Sequence, residues 1–198
     1  KQFDKDFSGR SISIDTSEFF YKHRKIGIGS SSAVSVAITK AFNQLFDYKL
    51  ASKSIINHAR EIHNRSQDSN GSGFDIITSF IEARSLACRI LDNGAYDYEE
   101  ICIPKAINIL VIVNDECVQT SEMIERYEVA KNKYNDYFSR HAPKMKHELE
   151  QLYQSILKKN NESIFQYLAL YNESLVDMSN NFNLGVFDNH IELIRLAR

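Results

Sequence analysis

The stretch Gly27-Ile28-Gly29-Ser30-Ser31-Ser32-Ala33 gathers groups suited to holding an anion. Two glycines leave the backbone without Cβ atoms, so a phosphate can come close to main-chain amides. Three consecutive hydroxyls add donors, and one of them can serve as an oxygen ligand for Mg²⁺. Further along stands a second group: His63, Gln67, then Gly71-Ser72-Gly73-Phe74-Asp75. A carboxylate at Asp75 can take a proton or orient a nucleophile. It is equally a favourable first-turn residue of a helix, with no further duty. His63 and Gln67 can order the second loop, or simply be satisfied polar residues near a helix end.

Gly and Ser also make ordinary turns and helix caps, and on the first loop alone both readings stand. The order Gly-x-x-x-x-Gly-Lys-Ser/Thr is absent, so the loop is not a P-loop. Gly-x-Gly-x-x-Gly is absent as well, which argues against a dinucleotide site. Lys22, Arg24 and Lys25 precede the loop. They can screen a polyphosphate or merely solvate a turn.

The elements that must position these residues follow from periodicity. Residues 11–16 alternate as a strand does. Residues 30–46 read as one helix, with Val34, Ala37, Ile38, Ala41, Phe42 and Leu45 at helical spacing as its buried stripe. Residues 50–64 give a second helix with Ile55, Ile56, Ala59 and Ile62 inward, and a third begins at Phe74. Residues 86–91 and 96–103 read as strands around the turn at 92–94. The apolar run 107–113 is expected as a central buried strand. Helices are expected over 121–138, 143–158, 163–178 and 189–197, with connections at 135, 139–142, 158–161 and 179–184. The order predicts an α+β fold with helices packed on one face of a mainly antiparallel sheet.

With 198 residues and a formal net charge of -2, the chain gives no electrostatic reason to expect nucleic acid or an anionic membrane. No apolar run approaches the roughly 20 residues of a membrane span. Cys88, Cys102 and Cys117 lack metal-type spacing and are expected as reduced core or near-core thiols of a cytoplasmic protein. The six histidines form no paired-ligand pattern, so no zinc site is expected.

Taken together, the two loops resemble those of the GHMP kinases. That family's second motif, Gly-Leu-Gly-Ser-Ser-Ala-Ala before a helix, is similar to residues 27–33 apart from Ile28 and Ser32. His63-x-x-x-Gln67-x-x-x-Gly71-Ser72-Gly73-Phe74-Asp75 resembles the phosphomevalonate kinase pattern, with Asp68 where the family usually has Gly. The resemblance implies a ribosomal-protein-like N-terminal part over residues 1–105 and a helical, ferredoxin-like C-terminal part over 106–198. It implies ATP and Mg²⁺ as cofactors and transfer of the γ-phosphoryl group to phosphomevalonate. Gly27, Ile28, Gly29, Ser30, Ser31 and Ser32 would hold the phosphates, Ser31 the metal, Ser72 and Gly73 the acceptor, and Asp75 would be catalytic. Another GHMP kinase acting on mevalonate or a sugar, and a nucleotide-binding homologue without turnover, remain alternatives. The expected partner is a small-molecule substrate; a homodimer stays open. The family's first motif, a strand bearing a Lys, and its third, Gly-Ala-Gly-Gly-Gly-Asp, have no match here. The resemblance places them before Lys1 and after Arg198, so the chain looks like the middle of a longer protein and is expected to turn over poorly alone.

Overall fold

The computed structural model describes residues 9, 11–67, 71–82, 85–91, 95–110 and 120–185. The chain divides into two compact units, one running from Lys1 to Cys88 and the other holding most of the chain from Arg89 onward. In the first unit, a 3-10 turn (Ser17–Phe19) leads into a two-residue strand β1 (Phe20–Tyr21), which pairs antiparallel with β2 (Arg24–Lys25). Three helices follow: α1 (Ser30–Leu45), α2 (Ser52–Gln67) and α3 (Phe74–Ile81). α1 packs on both α2 and α3. Their shared core is Val36, Ile55, Ile56, Ala59, Ile76 and Ile77, all buried. β3 (Leu86–Ile90) and β4 (Tyr96–Glu100) form a second two-stranded sheet as expected, although residues 101–103 do not extend it and the turn at 92–94 lies outside the described residues. The second unit is carried by α4 (Thr120–Lys133), α5 (Asn135–Leu157) and α6 (Asn161–Phe182).

The fold is therefore α-rich and still α+β, but its described strands make two small sheets instead of one mainly antiparallel layer. Residues 11–16 carry no strand: Ile12 and Ile14 are exposed, and Asp15 Oδ1 accepts the Ser17 amide at 2.9 Å. That local bond draws the backbone into the turn before it can form a ladder. The run expected as a central buried strand also departs from expectation. Residues 107–110 are irregular, and Ile109 and Leu110 are 71% and 84% exposed. Apolar composition favours burial, but a strand also needs a neighbour for its main-chain groups; residues 111–113 lie outside the described part.

α1 forms over almost the length its period predicts, yet it buries a different face. Ser32, Ser35, Val36 and Thr39 are buried, whereas Ala37, Ala41 and Leu45 are exposed and Val34, Ile38 and Phe42 half-buried. The hydroxyls can go inside because each has an acceptor. Ser35 Oγ donates to Ser31 O at 2.9 Å, and Thr39 Oγ1 to Ser35 O at 2.8 Å. Ile55, Ile56 and Ala59 face inward on α2 as expected, but Ile62 is exposed. In the second unit α5 runs through 139–142 and Pro143, where a connection was expected, while the break at Tyr134 falls beside the connection expected at 135. Aromatic packing sets that boundary: Phe138 meets Tyr127 edge-on at 5.4 Å and stacks with Phe182 at 5.2 Å. α6 continues past 179 and stops at Asn183, whose φ of 51° is left-handed, with Leu184 N donating to Ser179 O at 3.0 Å. The helix expected over 189–197 lies outside the described residues. Of the cysteines, Cys88 is half-buried, its thiol pushed up by burial, while Cys102 is exposed instead of lying in or near the core. Cys117 is not among the described residues. No described helix is long and apolar enough to cross a membrane.

Candidate functional site

The chain reaches the glycine loop through the β1–β2 hairpin. Lys22 and His23 both have positive φ, 47° and 67°, which suits the right-handed twist of a two-residue hairpin turn. Ile26 N donates to Phe19 O at 2.9 Å, closing the hairpin immediately before Gly27. Gly27 and Gly29 then both take φ of 80°, a left-handed conformation that costs a residue with a Cβ about 1–2 kcal/mol. Gly29 is the residue that caps α1, and the first helical bond runs from Ala33 N to Gly29 O at 3.1 Å. The amides of Ser30, Ser31 and Ser32 therefore have no acceptor behind them in the helix. They lie at its positive end.

The second loop delivers a similar start. Gly73 caps α3 with φ of 78°, and Ile77 N donates to its carbonyl at 3.1 Å. This places Asp75 in the first turn, exposed, with Oδ1 accepting the Ile76 amide at 2.9 Å. Its other oxygen, Oδ2, accepts the Ser32 hydroxyl. A Cβ built on Gly29 would stand 3.8 Å from the Asp75 Cβ, so the two loops are in van der Waals reach of each other. The neighbouring hydroxyl turns another way: Ser31 Oγ is 3.1 Å from His63 Nε2 on α2. Two consecutive serines thus tie the start of α1 to α3 and to α2.

Within the first loop, Gly27 and Ile28 are exposed, Gly29 and Ser31 half-buried, and Ser30 and Ser32 buried. Ser72 is exposed and Gly73 buried at the start of α3. Gln67 is exposed at the last position of α2. The basic residues lie in the hairpin, where Lys22 Nζ sits 5.2 Å above the Tyr21 ring. Beside α1 a cavity of about 300 Å³ is lined by Ile12, Ile14, Phe19, Val34 and Ile38 and reaches the helix at Ala33. Sequence reading did not find the Ser32–Asp75 bond. The one signal for it was a hydroxyl at a position where the family motif carries Ala.

Among the described residues, no group of three or more His, Cys, Asp or Glu side chains could hold a metal ion. At the loop the Ser31 hydroxyl offers one oxygen, a sparse protein contribution of the kind that suits Mg²⁺, which keeps several waters and takes its remaining oxygens from substrate phosphates.

The family model of the GHMP kinases N terminal domain matches residues 3–82. That span holds both loops and α1–α3, is less than half of the chain, and stops where α3 ends. The match supports the GHMP kinase family and carries no preference among phosphomevalonate and other acceptors. No curated protein and no solved structure matches the chain.

Proposed function

We propose that this chain is part of an ATP-dependent small-molecule kinase of the GHMP type, with phosphomevalonate as the acceptor that the pattern from His63 to Asp75 favours. The observation that carries the reading is the seating of Asp75 against the glycine loop, through Ser32 and beside Gly29. One element supplies unpaired amides for phosphate and the other a carboxylate for the acceptor, and the two touch.

In this reading the amides of Gly27 to Ser32 hold the β- and γ-phosphates, Ser31 Oγ ligates Mg²⁺, and Ser72 and Gly73 contact the acceptor. When bound, MgATP supplies the γ-phosphoryl group, with the cation offsetting charge that builds on it. Positioning and charge stabilisation do most of the work in such a transfer. The hydrogen bonds from Ile76 N and Ser32 Oγ fix the Asp75 carboxylate in direction, so it meets the acceptor at a set angle. Toward a hydroxyl acceptor it takes the proton. Toward a phosphate monoester, largely dianionic at neutral pH because its second pKa is about 6, it orients the nucleophile instead.

The test is Mg²⁺-dependent ADP formation with phosphomevalonate, mevalonate and sugars, run on the chain within its full natural sequence. Asp75→Ala is expected to lower turnover by about two orders of magnitude or more while nucleotide affinity changes little. Equal loss of both would overturn the role given to Asp75. Nucleotide binding without turnover on any acceptor would favour the non-catalytic homologue.

A further inference from the structure

Ser31 and Ser32 are chemically identical and adjacent, yet their hydroxyls have different partners. Ser32 donates to a carboxylate, which can only accept. Ser31 faces an imidazole nitrogen, which accepts or donates according to tautomer. The difference matters for a hydroxyl that is to ligate a cation. Such an oxygen offers its lone pairs to the metal, and its single proton has to point elsewhere. The Ser31 carbonyl accepts the Ser35 hydroxyl at 2.9 Å. His63 comes from a different helix, is half-buried, and lies 3.1 Å from Oγ.

We propose that His63 is a positioning residue whose Nε2 accepts the Ser31 hydroxyl proton and so leaves both Oγ lone pairs free for the cation of a bound nucleotide. The inference rests on the reading of the loop as a Mg²⁺-nucleotide site. It fixes the Nδ1–H tautomer of His63, because the opposite tautomer would donate into a lone pair and set a proton against the metal. His63 itself touches neither metal nor phosphate in this arrangement. Its effect passes entirely through Ser31, and the cycle of single and double variants exposes that dependence.

Calorimetric titration with a non-hydrolysable ATP analogue, in saturating Mg²⁺ and separately in EDTA, reads the effect without turnover. The quantity of interest is the ratio of the two affinities. His63→Ala is expected to lower that ratio about three- to tenfold, as loss of one hydrogen bond does, and Ser31→Ala, which removes the ligand itself, at least as much. The double variant should lose no more than Ser31→Ala alone. His63→Gln, whose Oε1 can accept the same proton, should stay within about twofold of the unchanged chain. Affinity of the His63 variants in EDTA should not move. If His63→Ala melts too low to titrate, His63→Leu fills the same half-buried site and serves in its place. Equal weakening in Mg²⁺ and EDTA, or additive losses in the double variant, would show that His63 only packs α2 against α1 and would overturn the proposal. If the unchanged chain gains nothing from Mg²⁺, the nucleotide-loop reading fails and this inference goes with it. If Mg²⁺ helps and the His63 variants keep the full gain, only the role of His63 fails.

Discussion

Helices α1–α3 and α4–α6 differ in the side chains that meet at their buried faces. In the first unit the buried face of α1 is Ser32, Ser35, Val36 and Thr39, and it meets aliphatic residues of α2 and α3. In the second, Tyr127, Tyr137, Phe138 and Phe182 crowd around Ala130 and Leu184. Tyr137 stacks on His141 with ring centres 3.7 Å apart. Aromatic rings give adhesion through area and edge-to-face geometry. Small hydroxylated side chains give little adhesion, but they allow close approach and carry protons that can be aimed. The first unit uses that property where the two glycine loops meet. The second unit buries polar groups as well, among them Ser155, Ser179 and Glu148, which accepts Ser174 Oγ at 2.9 Å and lies 3.7 Å from Lys144. Burial, with Glu148 nearby, pushes the Tyr171 hydroxyl up.

The largest effect that separates the two regions is expected from Phe138→Ala. Removing a buried ring from the aromatic cluster should cost about 3–5 kcal/mol in urea unfolding. Nucleotide affinity of the folded fraction should stay as it was; a matching drop would erase the distinction drawn between the units. Gly29→Ala comes next. Its left-handed backbone should cost about 1–2 kcal/mol, since the new Cβ has ordinary contact distance to Asp75 and only the torsion is strained. Nucleotide affinity should fall by more than this stability loss implies, and an unaffected affinity would remove Gly29 from the site.

Ser32→Ala should cost about 1 kcal/mol, the worth of one buried hydrogen bond, and should leave Asp75 mobile enough to broaden its side-chain NMR signals. The smallest effect concerns the Lys40–Glu82 pair at the end of α3, where Lys40 also donates to Phe80 O at 3.0 Å. The Lys40 ammonium holds the Glu82 carboxyl below its ordinary value of 4.5. A depressed carboxyl stabilises the fold above its unfolded pKa and loses that contribution as pH falls through the folded one. Glu82→Gln should therefore lower the melting temperature slightly at pH 7 and make no difference well below pH 4, roughly the carboxylate range. An equal deficit at both pH values would assign the effect to packing.

Much of the first unit was legible in the sequence. Helical period located α1 to within a residue, and the glycine-serine turns marked the starts of both α1 and α3. Hydropathy chose the wrong face of α1, because it ranks Ser and Thr as outward and cannot see that Ser35 and Thr39 satisfy themselves on the preceding turn. The pairing of Ser32 with Asp75 and of Ser31 with His63 spans 43 and 32 residues, and no local pattern encodes contacts at that separation. In the second unit, Pro143 and the polar run before it suggested a break, but ring packing at Phe138 carried the helix through. Alternation over 11–16 and the apolar run from 107 suggested strands; a strand is decided by its neighbour, which a single stretch of sequence does not contain.

The central claim is that nucleotide phosphates bind where the two glycine loops touch. Backbone amide NMR during titration with the magnesium complex of a non-hydrolysable ATP analogue tests it most directly. The largest shifts should fall on Ser30, Ser31 and Ser32, with smaller ones on Gly73 to Ile76 and little change along α4–α6. Saturating shifts confined to α4–α6, or none anywhere at millimolar nucleotide, would contradict it.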